Sequence, residues 1–108
     1  MPKTRIEAAQ AVAQAFFPAE QAAQDSAAQG ARCIATIIEQ RIKAQLPPQT
    51  GAEALALIAT ATGQAVAAAN SFADAHKLLA GLSEDLGIPL TFGPDCEPNA
   101  TKLHVVAA

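Results

Sequence analysis

Between Ala54 and Ala73 the chain runs for twenty residues without an Asp, Glu, Lys or Arg, and nine of the twenty are Ala, three of them consecutive at 67–69. Ala enters a helix without losing side-chain entropy or burying a polar group, so this stretch favours helix over every alternative. Its ends carry signals of their own. Thr50-Gly51-Ala52-Glu53 has the form of a capping box, with Glu53 at the positive end of the dipole, and Gly87 followed by Ile88-Pro89 has the form of a left-handed cap and a stop. The pattern predicts a helix over 51–86.

Projected at 100° per residue, Leu55, Ile58, Ala59, Thr62, Ala65, Val66, Ala69 and Ala73 fall on one side of that helix. Beside them lies a second stripe of Leu57, Ala61, Ala68, Phe72, Ala75, Leu79, Leu82 and Leu86. The two stripes together are wider than one neighbouring helix covers, so the second is expected to meet a partner. That reading fails if residues 57, 61, 68 and 82 of a lone subunit stand in water. Ser71-Phe72-Ala73-Asp74 offers a second capping box, which would divide the helix near 70–71, but both stripes cross it without a phase jump and favour a single helix.

A membrane span is the rival reading, because about twenty uncharged residues is the right length. Against it, Thr60, Thr62, Gly63, Gln64, Asn70 and Ser71 interrupt the run, and no aromatic belt or Lys/Arg asymmetry flanks it. An integral membrane protein is therefore not the expectation.

Upstream, Thr4-Arg5-Ile6-Glu7 repeats the capping-box form and opens a predicted first helix over 5–16. Pro18 predicts a break at Phe17 and a second helix over 18–46, closed by Pro47-Pro48. The apolar arc of that helix is Ala27, Ala31, Ile34, Ile37, Ile38, Ile42 and Leu46. Arg41 also projects into it, which admits either an anion site in an apolar groove or, more simply, Arg41 or Lys43 pairing with Glu53 across the turn. A short connection over 46–50 implies antiparallel neighbours whose numbers sum to about 96 or 97. Ile38 would then meet Ile58, Ile34 would meet Thr62, and Gly30 would meet Val66, with Gly30 and Gly63 as points of close backbone approach. After Pro89, Leu90-Thr91-Phe92 and Leu103-His104-Val105-Val106 predict an irregular tail or a short β-hairpin over 88–108. The fold class expected is all-α, a single domain over 1–108 built as a small antiparallel bundle of three or four helices with that tail.

Of 108 residues, 51% are hydrophobic and 16% charged, a balance that argues against disorder. Much of the hydrophobic share is Ala, which buries little area, so a bundle of this kind needs close helix approach or a larger interface; a homodimer supplies one. Seven basic side chains against ten acidic ones, with no basic cluster, give no footprint for nucleic acid. The first ten residues lack an apolar segment of the secretory kind, and Cys33 and Cys96 fit no metal or redox spacing, which together suit a reducing cytoplasm.

Candidates for chemistry are few. Asp74 and His76 are two apart on a helix and point in different directions, so they form no dyad, and His76 reads as a boundary histidine. His104 has no partner at useful spacing. Asp95 and Glu97 flank Cys96 and should raise its thiol pKa, which weakens a nucleophile; Asp95, Cys96, Glu97 and His104 do not repeat at ligand spacing. Phosphate loops, nucleophile elbows, HExxH and CxxC are absent. No catalytic residue, cofactor or metal is expected.

The Ala- and Gln-rich amphipathic helices are similar in composition to those of granule-coating phasins, a likeness that covers no motif and transfers no residue. The leading expectation is a non-enzymatic interaction or scaffold protein, a homo-oligomer or partner of another protein through Leu57, Ala61, Ala68, Phe72, Ala75, Leu79 and Leu82. The alternatives are a small-molecule binder with an apolar pocket lined by Phe16, Phe72 and His76, and a protein attached peripherally to a lipid or granule surface.

Overall fold

Among the described residues the chain makes two long helices where the sequence pattern predicts three or four. A computed structural model of the single chain describes residues 2–87, with side chains from Lys3 onward. Helix α1 is Pro2–Lys43 and helix α2 is Ala52–Asp85. The class is all-α, and no strand occurs among the described residues. The predicted hairpin or irregular tail over 88–108 lies outside them.

The missing break is at Pro18, which sits inside α1. Proline there deprives the Gln14 carbonyl of its donor and crowds it. Both residues are exposed, so water can take the freed carbonyl at a local cost. Ending one helix and starting another would instead leave up to four carbonyls and four amides to satisfy again. Helix α2 likewise passes through Ser71 unbroken, the favoured reading of that site.

The end of α1 and both ends of α2 each carry one residue with positive φ. At the end of α1 the Leu46 amide donates to the Arg41 carbonyl and the Gln45 amide to that of Ile42, at 3.0 and 3.1 Å, with Gln45 at φ 57°. This is a Schellman cap built on glutamine where glycine is usual. At the start of α2 the Leu55 amide donates to the Gly51 carbonyl at 2.9 Å, and Gly51 has φ 70°. The cap residue is therefore Gly51, not Thr50, and the predicted capping box is not the device used. Gly87, at φ 67°, closes α2 as the sequence predicts.

The chain divides into two compact units. One joins Met1–Ala19 to Phe72–Ala108, described as far as Gly87, and the other is Glu20–Ser71. In the second unit the inward positions of α1 are Glu20, Ala23, Ala27, Gly30, Ile34, Ile37 and Arg41, and those of α2 are Leu55, Ile58, Thr62, Ala65 and Ala69. Steps of three and four alternate throughout, the period of 3.5 that belongs to a supercoiled seam. Ala31, Ile38, Ile42 and Leu46, assigned to the apolar arc from sequence, are exposed, Ile42 the most at 71%, so Ile38 is not the residue that meets Ile58.

The seam is closest at Gly30. A Cβ built there would lie 2.4 Å from Thr62 Oγ1. Gly30 therefore meets Thr62 and not Val66, a shift of one helical turn from the predicted register, and Ile34 comes level with Ile58. The turn explains the shift. The chain reverses at Gln45-Leu46, and residues 47–51 return beside the end of α1, where the Arg41 guanidinium donates to the carbonyls of Pro48 and Thr50. Gly63 is different, with nothing within 4 Å of a Cβ, so it marks no close approach within the chain.

The first unit keeps the same spacing. Ile6, Ala9, Ala13 and Phe16 on α1 face Phe72, His76, Leu79 and Ser83 on α2. Phe16 is the hub: its ring centroid lies 6.2 Å from Phe17, 5.8 Å from Phe72 and 5.7 Å from His76. Such tilted and edge-on pairs contribute about 0.5–1.5 kcal/mol each beyond area burial.

Candidate interaction surface

Two helices with small side chains along their seam approach closely but enclose little. Among the described residues only Ala13 and Ser83 are buried, at 6% and 5% exposure. In the second unit none is. The apolar side chains that do not reach the seam are the surface on which a function of contact would rest.

The seven residues assigned to an interaction surface separate into two groups. Leu57, Ala61, Ala68 and Leu82 are exposed, Leu57 at 72% and Leu82 at 52%. They stand in water on the single chain, the outcome named above as counting against a partner surface, so that surface is not carried by the single chain and becomes a proposal about an assembly that covers it. Phe72, Ala75 and Leu79 are half-buried on the α1 side of the first unit. The period accounts for the division: a seam at 3.5 residues per repeat drifts by about 20° per heptad against a straight 3.6-residue projection, and so passes from the first stripe into the second along α2.

In the first unit, Arg5, Ala8, Ala9, Val12, Leu79, Leu82, Ser83 and Leu86 line an open groove of about 240 Å³. Arg5, Ala8 and Val12 were not legible as a site from sequence. The available signal was the seven-residue spacing of Arg5 and Val12, which puts both at one heptad position beside the seam. Leu78, 75% exposed and the most exposed large apolar side chain described, also falls outside both projected stripes.

In the second unit a shallower depression of about 600 Å³ runs beside Gly30 and Thr62, bordered by Ser26, Cys33 and Ala61. It mixes polar and apolar walls. Cys33 is an exposed free thiol, in keeping with a small side chain on a helix flank.

The pocket expected between Phe16, Phe72 and His76 is occupied by those rings. His76 lies 5.7 Å from both Phe16 and Phe17, edge-on to each, as one member of the aromatic cluster around Phe16. Arg41 is half-buried and engaged with the turn, so neither the anion site nor the pairing with Glu53 describes it; its partners are backbone carbonyls. No group of three or more His, Cys, Asp or Glu is placed to hold a metal ion among the described residues. Asp95, Cys96, Glu97 and His104 lie outside them.

By length and composition α2 can cross a membrane: its most apolar 18-residue window has mean hydropathy 1.3, and none of that window is buried. Compared with protein-family models, with curated proteins and with solved structures, the chain finds no match in any of the three.

Proposed function

We propose that this chain is a non-enzymatic helical interaction protein that works as a homodimer, a second copy covering the Ala-rich outer face of α2 at Leu57, Ala61 and Ala68. One observation carries the reading: no residue of the second unit is buried, while Leu57 leaves most of its side chain in water. Helices of this composition draw their stability from packed faces more than from propensity. Burying one Leu contributes about 1.5–3 kcal/mol, and a specific interface removes about 800 Å² per partner from water. Small side chains at 61 and 68 let a second helix approach closely.

Sedimentation velocity at tens of micromolar tests this. The expected species is a dimer, and Leu57→Glu or Ala61→Glu should give a monomer of lower helix content. A strictly monomeric, fully helical wild-type protein would end the reading.

Peripheral attachment to a lipid or granule surface is the second reading, favoured by the unburied apolar window of α2. Co-sedimentation with liposomes, lost on Leu57→Glu, would support it over the dimer.

A further inference from the structure

We propose that the groove of the first unit binds a free single-chain carboxylate of medium length, a fatty acid, with its anionic end on Arg5. This proposal does not rest on the homodimer reading. The groove is walled by Ala8, Val12, Leu79, Leu82 and Leu86, and Arg5 is the one charged residue among the described residues that line it. Arg5 takes part in no hydrogen bond or ion pair among the described residues. A guanidinium with no partner among the described residues, beside apolar walls, complements a ligand with one anionic end and a hydrocarbon body, because it offers a carboxylate two parallel N–H donors.

Size narrows the class. Arg5 to Val12 and Leu79 to Leu86 each span two helical turns, about 10 Å at 1.5 Å per residue. The volume of about 240 Å³ lies below the 300–1,000 Å³ usual for drug-sized ligands. One short acyl chain fits it, and a polycyclic ligand does not. Since Arg5 stands at one end of the lining, the chain would run from Arg5 and Leu86 toward Val12 and Leu79.

The experiment is a titration of the full chain with sodium octanoate, followed by calorimetry and by amide shifts in NMR, with 1-octanol as the uncharged control. Octanoate should move the amides of Ala8, Val12 and Leu82 and bind about tenfold more tightly than octanol, the worth of one charge-assisted contact. Arg5→Gln should lose that tenfold advantage and leave octanol binding unchanged. Ala8→Trp, on an exposed helix face, should fill the groove and abolish both while helix content stays the same. Equal affinity for octanoate and octanol, shifts that avoid the groove, or binding to phosphatidylglycerol vesicles without binding to octanoate would each overturn the proposal. Sedimentation of the same samples keeps the two readings apart. A monomer that binds octanoate through Arg5 refutes only the dimer, and a dimer indifferent to octanoate refutes only the groove.

Discussion

Gly30→Ala and Gly63→Ala are the same chemical change in the middle of a helix, and the structure assigns them opposite signs. Replacing an interior glycine by Ala gains about 0.5–1 kcal/mol of helix propensity at either place. At Gly63 and at Gly81 a new Cβ has nothing within 4 Å, so that gain should appear undiminished. At Gly30 the Cβ would stand 2.4 Å from Thr62 Oγ1 and 3.1 Å from its Cβ and Cγ2. Thr62 cannot yield easily. Its side chain has one rotatable torsion, branched at Cβ, and its hydroxyl donates to the Ile58 carbonyl at 2.8 Å. Overpacking of this kind costs about 1–3 kcal/mol. The net for Gly30→Ala is a loss of about 1 kcal/mol, or roughly 4–8 °C in Tm for a domain of this size. Gly30→Leu should lose several times that. Urea and thermal unfolding at one fixed protein concentration measure both, since assembly would make Tm depend on concentration. Thr62→Ala in the Gly30→Ala background should restore stability above the single variant, with a coupling of about 1–2 kcal/mol in the double-mutant cycle. Were Gly30→Ala to stabilise as Gly63→Ala does, with no coupling to Thr62, the two helices would not meet at that layer and the register would be wrong.

Two further substitutions read the turn. Gln45→Gly removes a side chain from the left-handed region at φ 57° and should stabilise by about 1 kcal/mol, seen as a higher urea midpoint at unchanged m-value. Arg41→Met keeps the apolar stem but strips the donors from the Pro48 and Thr50 carbonyls, and should cost about 1–2 kcal/mol, whereas Lys43→Met at the exposed neighbour should stay within about 0.5 kcal/mol.

Much of α2 could be read directly. Its start within a residue or two, its stop at Gly87, its passage through Ser71 and the inward placing of Leu55, Ile58, Thr62, Ala65 and Ala69 follow from propensity, period and the Gly87 cap, whereas Ala59, Val66 and Ala73, projected onto the same stripe, stand exposed. What could not be read has identifiable causes. Pro18 carries the same breaker signal whether or not water can reach the freed carbonyl, and that access is a property of the folded chain. The register depended on where the reversal falls, and a glutamine in the left-handed region at 45 gives no warning of it, where a glycine would have. The division of the second stripe at Phe72 came from drift between a 3.6-residue projection and a 3.5-residue seam. Ala gave no contrast with which to detect it, because the same residue serves at Ala13 inside and at Ala61 outside. The groove at Arg5 was hidden for a related reason: a lone cation in a first turn reads as solvated until the opposite wall, Leu82 and Leu86, is known.

The seam itself argues for something beyond it. Close approach at Gly30 and Thr62 requires small side chains, and small side chains leave little apolar area to remove from water. Ile34, Ile37 and Ile58 remain only half-buried where the seam has its largest residues in the second unit. Widening that seam with larger side chains would force the helices apart at Gly30, so the chain cannot gain area there without losing contact. The remaining source of burial is the outside of α2, which holds Leu57 at 72% exposure and no charge from 54 to 73. A second helix laid against Leu57 would find the face smooth at Ala61 and Ala68. If Ala68→Arg, at an exposed position of the single chain, converts a dimer to a monomer while Gly81→Leu does not, the face at Leu57, Ala61 and Ala68 is where the second copy sits. If neither changes the sedimentation coefficient of a dimer, that face is not the interface.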